Sequence, residues 1–395
     1  MDIKYLRRLN SPWVVAFLVG ILFASVLFIR LRRVHFDVSR LVVAGDRFCD
    51  PAQVPLGLFV FRGSPGYDGQ FYYRLALNPF THARTDFGIT LDTPNYRQQR
   101  VFFSLLAWVV SLGQPRLVPM AMLAINFAAL IALGWMGAAL AQSFNLSAFW
   151  GIFVALQPAY YYILTRDLVE ILEIALILGS LLLLRKGRSG FATMALTLAV
   201  MTRETALLVA IAAFLAYIVQ RWKGGDGIVV RWPYFAVPIL AFLSWQLVLR
   251  YNWGASPQGA ASSAMIGFPF FAPWQLLVQS SQFRDLPQAR TFLQVLFLAV
   301  FAVGVVSHVP TTVAPRLVIF SCLLYGALAV SLNQEIWVED WAFFRATSQF
   351  CALGTIVLIG SRWITKVVFL GASALLWLLF SPLLPERFCL DIFRW

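Results

Sequence analysis

A bundle of membrane-spanning helices is the fold class that this sequence predicts, on three observations. Sixty per cent of the 395 residues are hydrophobic and only 12% are charged, about half the charged share of an average soluble domain. Mean hydropathy is +0.75. Apolar runs recur about every 20 to 25 residues, the length that a helix needs to cross roughly 30 Å of hydrocarbon. Lipid leaves an open sheet edge without partners, so an all-α polytopic bundle of about 11 spans is expected.

The first run, 13–29, follows Lys4, Arg7 and Arg8. It exceeds the roughly 7 to 15 residues of a signal-peptide core, and Ala24-Ser25-Val26 is a poor cleavage site. A retained anchor with a cytoplasmic N-terminus is therefore expected. Residues 31–116 form a long first extracytoplasmic loop rich in Pro, Gly, Asp and Arg. Within it, the apolar patch from Val101 to Leu112 covers only about 18 Å as a helix, so it is expected to lie in the membrane interface or re-enter it. Further spans are expected at 117–141, 148–164, 168–184, 190–202, 205–220, 233–250, 291–307, 315–332, 347–361 and 364–381, with 251–290 a second long extracytoplasmic loop. This count places Arg185-Lys186-Gly187-Arg188, Arg221-Trp222-Lys223, Arg316 and the basic 362–366 connector on the cytoplasmic side, as the positive-inside rule requires. One long helix over 190–220 would invert everything downstream. Two short helices meeting at Thr202-Arg203-Glu204-Thr205 are expected instead. The protein is then an integral protein of the plasma (inner) membrane.

The same topology collects Asp46, Asp68, Asp86, Asp92, Arg97, Arg100, Asp167, Glu170, Glu173, Arg203, Glu204, Glu335, Glu339, Asp340 and Arg345 on the outer side. An ionisable side chain in a span costs about 2.5 to 3.5 kcal/mol on insertion scales, so these charges imply partners or a wet cavity. An outward-facing polar cavity is the economical reading.

Four groupings stand out. Gly66-Tyr67-Asp68-Gly69-Gln70-Phe71-Tyr72-Tyr73-Arg74 sets a carboxylate among aromatic and cationic groups. Asp68 is read as a candidate catalytic base, with Tyr67, Gln70, Tyr73 and Arg74 around a bound ring and phosphate; the plainer alternative is a turn-capping Asp. In Asp92-Thr93-Pro94-Asn95-Tyr96-Arg97-Gln98-Gln99-Arg100, Arg97 and Arg100 share a face if helical, and two guanidiniums can grip one phosphate or rest on lipid headgroups. Asp167, Glu170 and Glu173 make an acidic stripe that Arg166 could neutralise in part. Arg203-Glu204, closely flanked by apolar sequence, either serves the cavity or pairs with itself, and Arg345 opens a span on the same side. Asp92, Arg97, Arg100, Glu170, Glu173, Arg203, Glu204 and Arg345 are thus the candidate substrate-binding residues.

Other chemistries find little support. His35, His82 and His308 are scattered and no Cys-x-x-Cys occurs, so no metal or other cofactor is expected, a divalent cation being a possibility without supporting ligands. Cys49 and Cys389 fall outside the spans, where a disulfide and two free thiols are both open. There is no phosphate-binding glycine loop, Gly-x-Ser-x-Gly turn or nucleic-acid motif. The net charge of +13 is assigned to lipid headgroups and anionic substrates, not nucleic acid.

An N-terminal anchor, a long first outer loop with a prominent Asp and about ten further spans resembles the GT-C superfamily of polyprenyl-phosphate-sugar-dependent glycosyltransferases. Tyr67-Asp68-Gly69-Gln70-Phe71-Tyr72, Asp92-x-Pro94-x-Tyr96-Arg97 and Thr202-Arg203-Glu204 are similar to bacterial members, mannosyltransferase-like ones included. Many members carry two adjacent acids in that loop, where this chain has Asp68-Gly69. The resemblance implies inverting transfer, with Asp68 as general base, from a polyprenyl-phosphate sugar donor to a lipid, glycan or protein acceptor at the extracytoplasmic face. A lipid or polysaccharide transporter or flippase, or a noncatalytic envelope-assembly protein, would also bury charge in a helical bundle. No internal repeat of the transporter kind is present.

Overall fold

The computed structural model describes residues 10–224, 228–255, 265–280 and 286–361, with a few positions between 367 and 375. The expected span 364–381 and Cys389 lie mostly or wholly outside these residues. The chain is mainly helical, and its only strands among the described residues are two short pairs in the first loop: β1 (Ala44–Gly45) with β2 (Val60–Phe61), parallel, and β3 (Thr85–Asp86) with β4 (Ile89–Thr90), antiparallel.

Helix α1 (Pro12–Arg33) starts at Ser11, whose side chain accepts the Trp13 amide, with Pro12 in the first turn where its missing N–H is harmless. The first loop then holds α2 (Gly69–Leu77), α3 (Pro94–Gln98) and α4 (Val101–Val110). Beyond it come α5 (Val118–Ser143), α6 (Ile152–Ala155), α7 (Pro158–Leu164), α8 (Glu170–Arg185), α9 (Ser189–Thr202), α10 (Leu207–Lys223) and α11 (Trp232–Trp253). Helices α12 (Phe271–Ser280), α13 (Leu286–His308), α14 (Arg316–Val330), α15 (Gln334–Val338) and α16 (Asp340–Ile359) follow. Among the described residues, six helices are long and apolar enough to cross a membrane: 12–33, 118–143, 204–223, 232–253, 291–308 and 342–359. Exposed Phe17, Ile21, Leu243, Leu247 and Val303 on them suit a lipid surround, since lipid does not penalise exposed apolar side chains.

Contacts between helix ends sort the bundle into two poles. At one, Arg185 donates to the Ser143 carbonyl, Arg316 to that of Gly224, Gln142 to that of Asn10, and the Val313 amide to that of Gly360. At the other, Arg345 meets Glu170, Arg203 lies near Glu170, and Trp253 donates to Gln98. Helices α8, α9, α10, α11, α14 and α16 each run from one pole to the other. Helix α16 is central, touching α5, α7, α8, α13 and α14.

One local difference from the expected layout has a physical cause. The 148–164 run is broken at Leu156-Gln157, because Pro158 takes the first position of a new helix and cannot continue the old one. The 190–220 region is two helices, as expected: Arg203 is extended (φ −157°, ψ 132°) between α9 and α10. The patch beginning at Val101 is helical through Val110, burying Val101, Phe103, Ser104 and Ala107 while Trp108, Val109 and Val110 face outward.

A close backbone approach fixes the loop on the bundle. A side chain at Gly69 would run into the Arg166 and Val42 carbonyl oxygens, so only glycine lets the first turn of α2 dock there. The residue before it is Asp68.

Candidate functional site

Asp68 stands at the start of α2 but its side chain caps no amide of that helix. Its carboxylate instead receives Arg97 Nη1 on Oδ1 at 2.8 Å and Arg345 Nη2 on Oδ2 at 2.9 Å. A turn-capping role therefore does not describe it. Burial alone would raise the Asp68 pKa, but the two guanidiniums outweigh that and hold it well below the usual carboxylate range.

These two arginines extend the pairing in both directions. Arg97 forms a two-pronged bond with Asp92 (Nε to Oδ1 2.9 Å, Nη2 to Oδ2 2.7 Å), the strong planar geometry of guanidinium and carboxylate. Arg345 donates through Nε to Glu170 Oε1 at 2.8 Å and through Nη1 to the Tyr67 hydroxyl at 3.1 Å. Glu170 lies 3.8 Å from Arg203, which is also 3.6 Å from Glu173. A chain of alternating charge thus runs Asp92, Arg97, Asp68, Arg345, Glu170, Arg203, Glu173. Beside it, Arg100 donates to both oxygens of Glu204, to the Tyr72 hydroxyl at 2.9 Å and to that of Tyr96 at 2.6 Å. Five carboxyls face four guanidiniums, so charges too costly to bury singly are nearly balanced as a group.

Glu173, wholly buried, accepts from Thr205 at 2.6 Å, Tyr325 at 3.0 Å and Gln349 at 2.5 Å. It ties the start of α10 to α14 and α16. Next to it opens a cavity of about 510 Å³. Polar Tyr96, Gln99, Arg100, Arg203, Glu204 and Gln349 line it together with apolar Leu207, Leu208, Phe242, Leu328, Leu332 and Ile336. A second cavity, of about 700 Å³, is bounded by α12, α13 and α14 and is almost wholly apolar, with Val295, Leu298, Val303, Val330, Trp337 and Phe350 among its walls.

The structure gathers Asp68, Tyr67, Asp92, Arg97, Arg100, Glu170, Glu173, Arg203, Glu204 and Arg345, ten of the thirteen candidates, into one cluster. Three are withdrawn from it. Gln70 is turned inward to hold the Gly45 amide and the Pro65 carbonyl. Tyr73 donates to the Pro115 carbonyl, and Arg74 binds Thr81 and Asp86 on the far side of α2. Helical geometry explains this. Along α2 it is Tyr72, four residues after Asp68, that returns to the same face.

Other details depart from the sequence reading. Arg97 and Arg100 do not share one anion, because α3 ends at Gln98 and Arg100 turns toward Glu204. The acidic stripe is broken too: Asp167 lies in a left-handed turn (φ +51°) ahead of α8, and the cations on Glu170 are Arg345 and Arg203. Neither carboxyl oxygen of Asp167 has a partner among the described residues, and burial pushes its pKa well above the usual range. Cys49 is buried beside Gln70, and burial pushes its thiol up to about 12. Tyr72, Tyr96 and Thr205 belong to the sequence motifs but not to the candidate site residues, and Tyr325 and Gln349 are new to the site. Tyr325 and Gln349 sit within apolar runs, and a polar side chain in a span is the signal that would have flagged them.

Among the described residues no group of three or more His, Cys, Asp or Glu side chains is placed to hold a metal ion. No protein-family model, curated protein or solved structure matches the chain.

Proposed function

We propose that this protein is an integral membrane glycosyltransferase that takes a sugar from a polyprenyl-phosphate donor and passes it, with inversion, to a hydroxyl of a lipid, glycan or protein acceptor outside the cytoplasm. The observation that carries the reading is a cavity with charged and apolar walls, whose Arg100, Arg203 and Glu204 belong to the same charge cluster as Asp68. Such a cavity suits an amphiphile with an anionic head. The isoprenoid chain of the donor would follow Leu207, Leu208, Leu328 and Leu332, and the neighbouring apolar cavity offers further room for it.

In this reading Asp68 accepts the proton of the acceptor hydroxyl as its oxygen attacks the anomeric carbon. The bond from that carbon to the phosphate oxygen breaks on the opposite face, and the lipid phosphate leaves against the arginine cluster. A positioned base contributes about 10² to 10⁴ in rate, and preorganised guanidiniums stabilise the charge that develops on the leaving phosphate. A carboxylate clamped by two arginines is a weak base, so the reading requires Arg97 or Arg345 to shift partly away from Asp68 when substrate binds.

The orientation follows from charge. Arg185, Lys186, Arg188, Arg221, Lys223 and Arg316 lie at the pole opposite the cluster, which the positive-inside rule assigns to the cytoplasm. The site then faces outward, where nucleotide sugars are absent and a lipid carrier is the natural donor. Ten passes would come from the described helices and the eleventh from 364–381. The experiment is transfer of radiolabelled sugar from defined polyprenyl-phosphate donors by the purified protein. Absence of transfer from any of them would reject the reading.

A further inference from the structure

Of the four arginines in the cluster, three have every side-chain nitrogen engaged. Arg97 spends its donors on Asp92 and Asp68, Arg345 on Glu170, Asp68 and Tyr67, and Arg100 on Glu204, Tyr72 and Tyr96. Arg203 is different. Its nearest acids stand 3.8 and 3.6 Å away, beyond hydrogen-bond reach, and its Nε has no partner among the described residues. Those acids are already engaged, Glu170 by Arg345 and Glu173 by Thr205, Tyr325 and Gln349. Glu204, the acid that shares the cavity wall, has both oxygens on Arg100.

The guanidinium of Arg203 is therefore a largely buried cation with spare donors on the wall of a 510 Å³ cavity. A buried charge without hydrogen bonds is costly, and an anion in the cavity removes that cost. The extended backbone at Arg203, between α9 and α10, brings the side chain there without breaking either helix.

We propose that Arg203, and not Arg97, Arg100 or Arg345, anchors the anionic head of an amphiphilic monophosphate, whose first carbons lie along Leu207, Leu208 and Leu332. The assignment rests on the reading of a lipid-phosphate substrate above. It makes Arg203 a binding residue set apart from Asp68, joined to it through Glu170 and Arg345.

Farnesyl phosphate, a soluble isoprenoid monophosphate, is the probe, titrated into the purified full chain in detergent and followed by calorimetry. A hydrogen bond to a charged group is worth enough that Arg203→Gln should weaken binding about 10- to 100-fold, with Arg203→Lys intermediate. Farnesol should bind both proteins alike, and inorganic phosphate should bind weakly because it lacks the chain. Arg203→Gln should unfold at a lower temperature than wild type, since the buried Glu170 and Glu173 lose a counter-charge, so binding is compared well below both unfolding temperatures; if that variant does not fold, Arg203→Lys carries the test. Equal affinity for farnesyl phosphate in wild type and in the folded variant, or its loss in Arg345→Gln alone, overturns the assignment while leaving a lipid-phosphate substrate intact. No binding of farnesyl phosphate by wild type overturns both.

Discussion

Replacing Arg345 by Gln should destabilise the protein more than any other single change in the cluster. The guanidinium makes three contacts at once, to Glu170 at 2.8 Å, Asp68 at 2.9 Å and Tyr67 at 3.1 Å. Glu170 has no solvent exposure, so its charge would be left with Arg203, at 3.8 Å and without a hydrogen bond, as its remaining partner. Breaking a buried pair from one side costs about 3 to 5 kcal/mol, because the remaining charge is stranded. Asp92→Asn is the comparison: Asp92 is 26% exposed and Arg97 keeps Asp68, so the loss should be about 1 kcal/mol or less. Glu170→Gln in the Arg345→Gln background should recover part of the loss, since neither charge then remains uncompensated. Unfolding of wild type, Arg345→Gln, Glu170→Gln and the double variant, by denaturant in the same detergent, gives the cycle, with Asp92→Asn measured alongside. Arg345→Gln within 1 kcal/mol of wild type, or no recovery in the double variant, would refute the ion-pair chain as a structural unit.

Two further outcomes are expected. Single cysteines introduced at the exposed positions Arg62 and Gly187 should be labelled by a membrane-impermeant maleimide from opposite sides, Arg62 from outside; labelling of Gly187 from outside would reverse the orientation. Cys49 should resist iodoacetamide at pH 8, because the thiol is buried and its pKa is raised to about 12, so the reactive thiolate is scarce. Full alkylation of the folded protein within minutes would contradict its burial.

The helical class was legible in the sequence because hydrocarbon thickness dictates run length, and the turn at Arg203-Glu204 because two charges interrupt apolar sequence. The membership of the site was mostly legible as well, since charges in an apolar chain must gather. Their pairing was not. Arg345 and Glu170 are 175 residues apart and Tyr67 and Arg345 are 278 apart, so nothing local in the sequence selects those partners. Reading residues 66–74 as a loop also failed for a physical reason. Once residues 69–77 are helical, the 3.6-residue period turns Gln70, Tyr73 and Arg74 away from Asp68 and brings Tyr72 back. The break at Pro158 was missed because the apolar run continues across it, although proline at a first helical turn is a known start signal.

The central claim is that Asp68 is the base of a glycosyl transfer, and it is tested most directly by comparing wild type and Asp68→Asn. Asn keeps the size and much of the hydrogen bonding of Asp but not its charge, so some stability is lost with the contacts to Arg97 and Arg345. That contribution has a definite sign: the pKa of Asp68 is depressed in the fold, so its stabilisation is present above the ordinary carboxylate range and fades as pH falls toward the folded value. Stability should therefore be matched first, by assaying both proteins well below their unfolding temperatures. Transfer from a polyprenyl-phosphate sugar should then fall by about two to four orders of magnitude in folded Asp68→Asn, the usual worth of a positioned base. Transfer by folded Asp68→Asn at the wild-type rate would contradict the assignment.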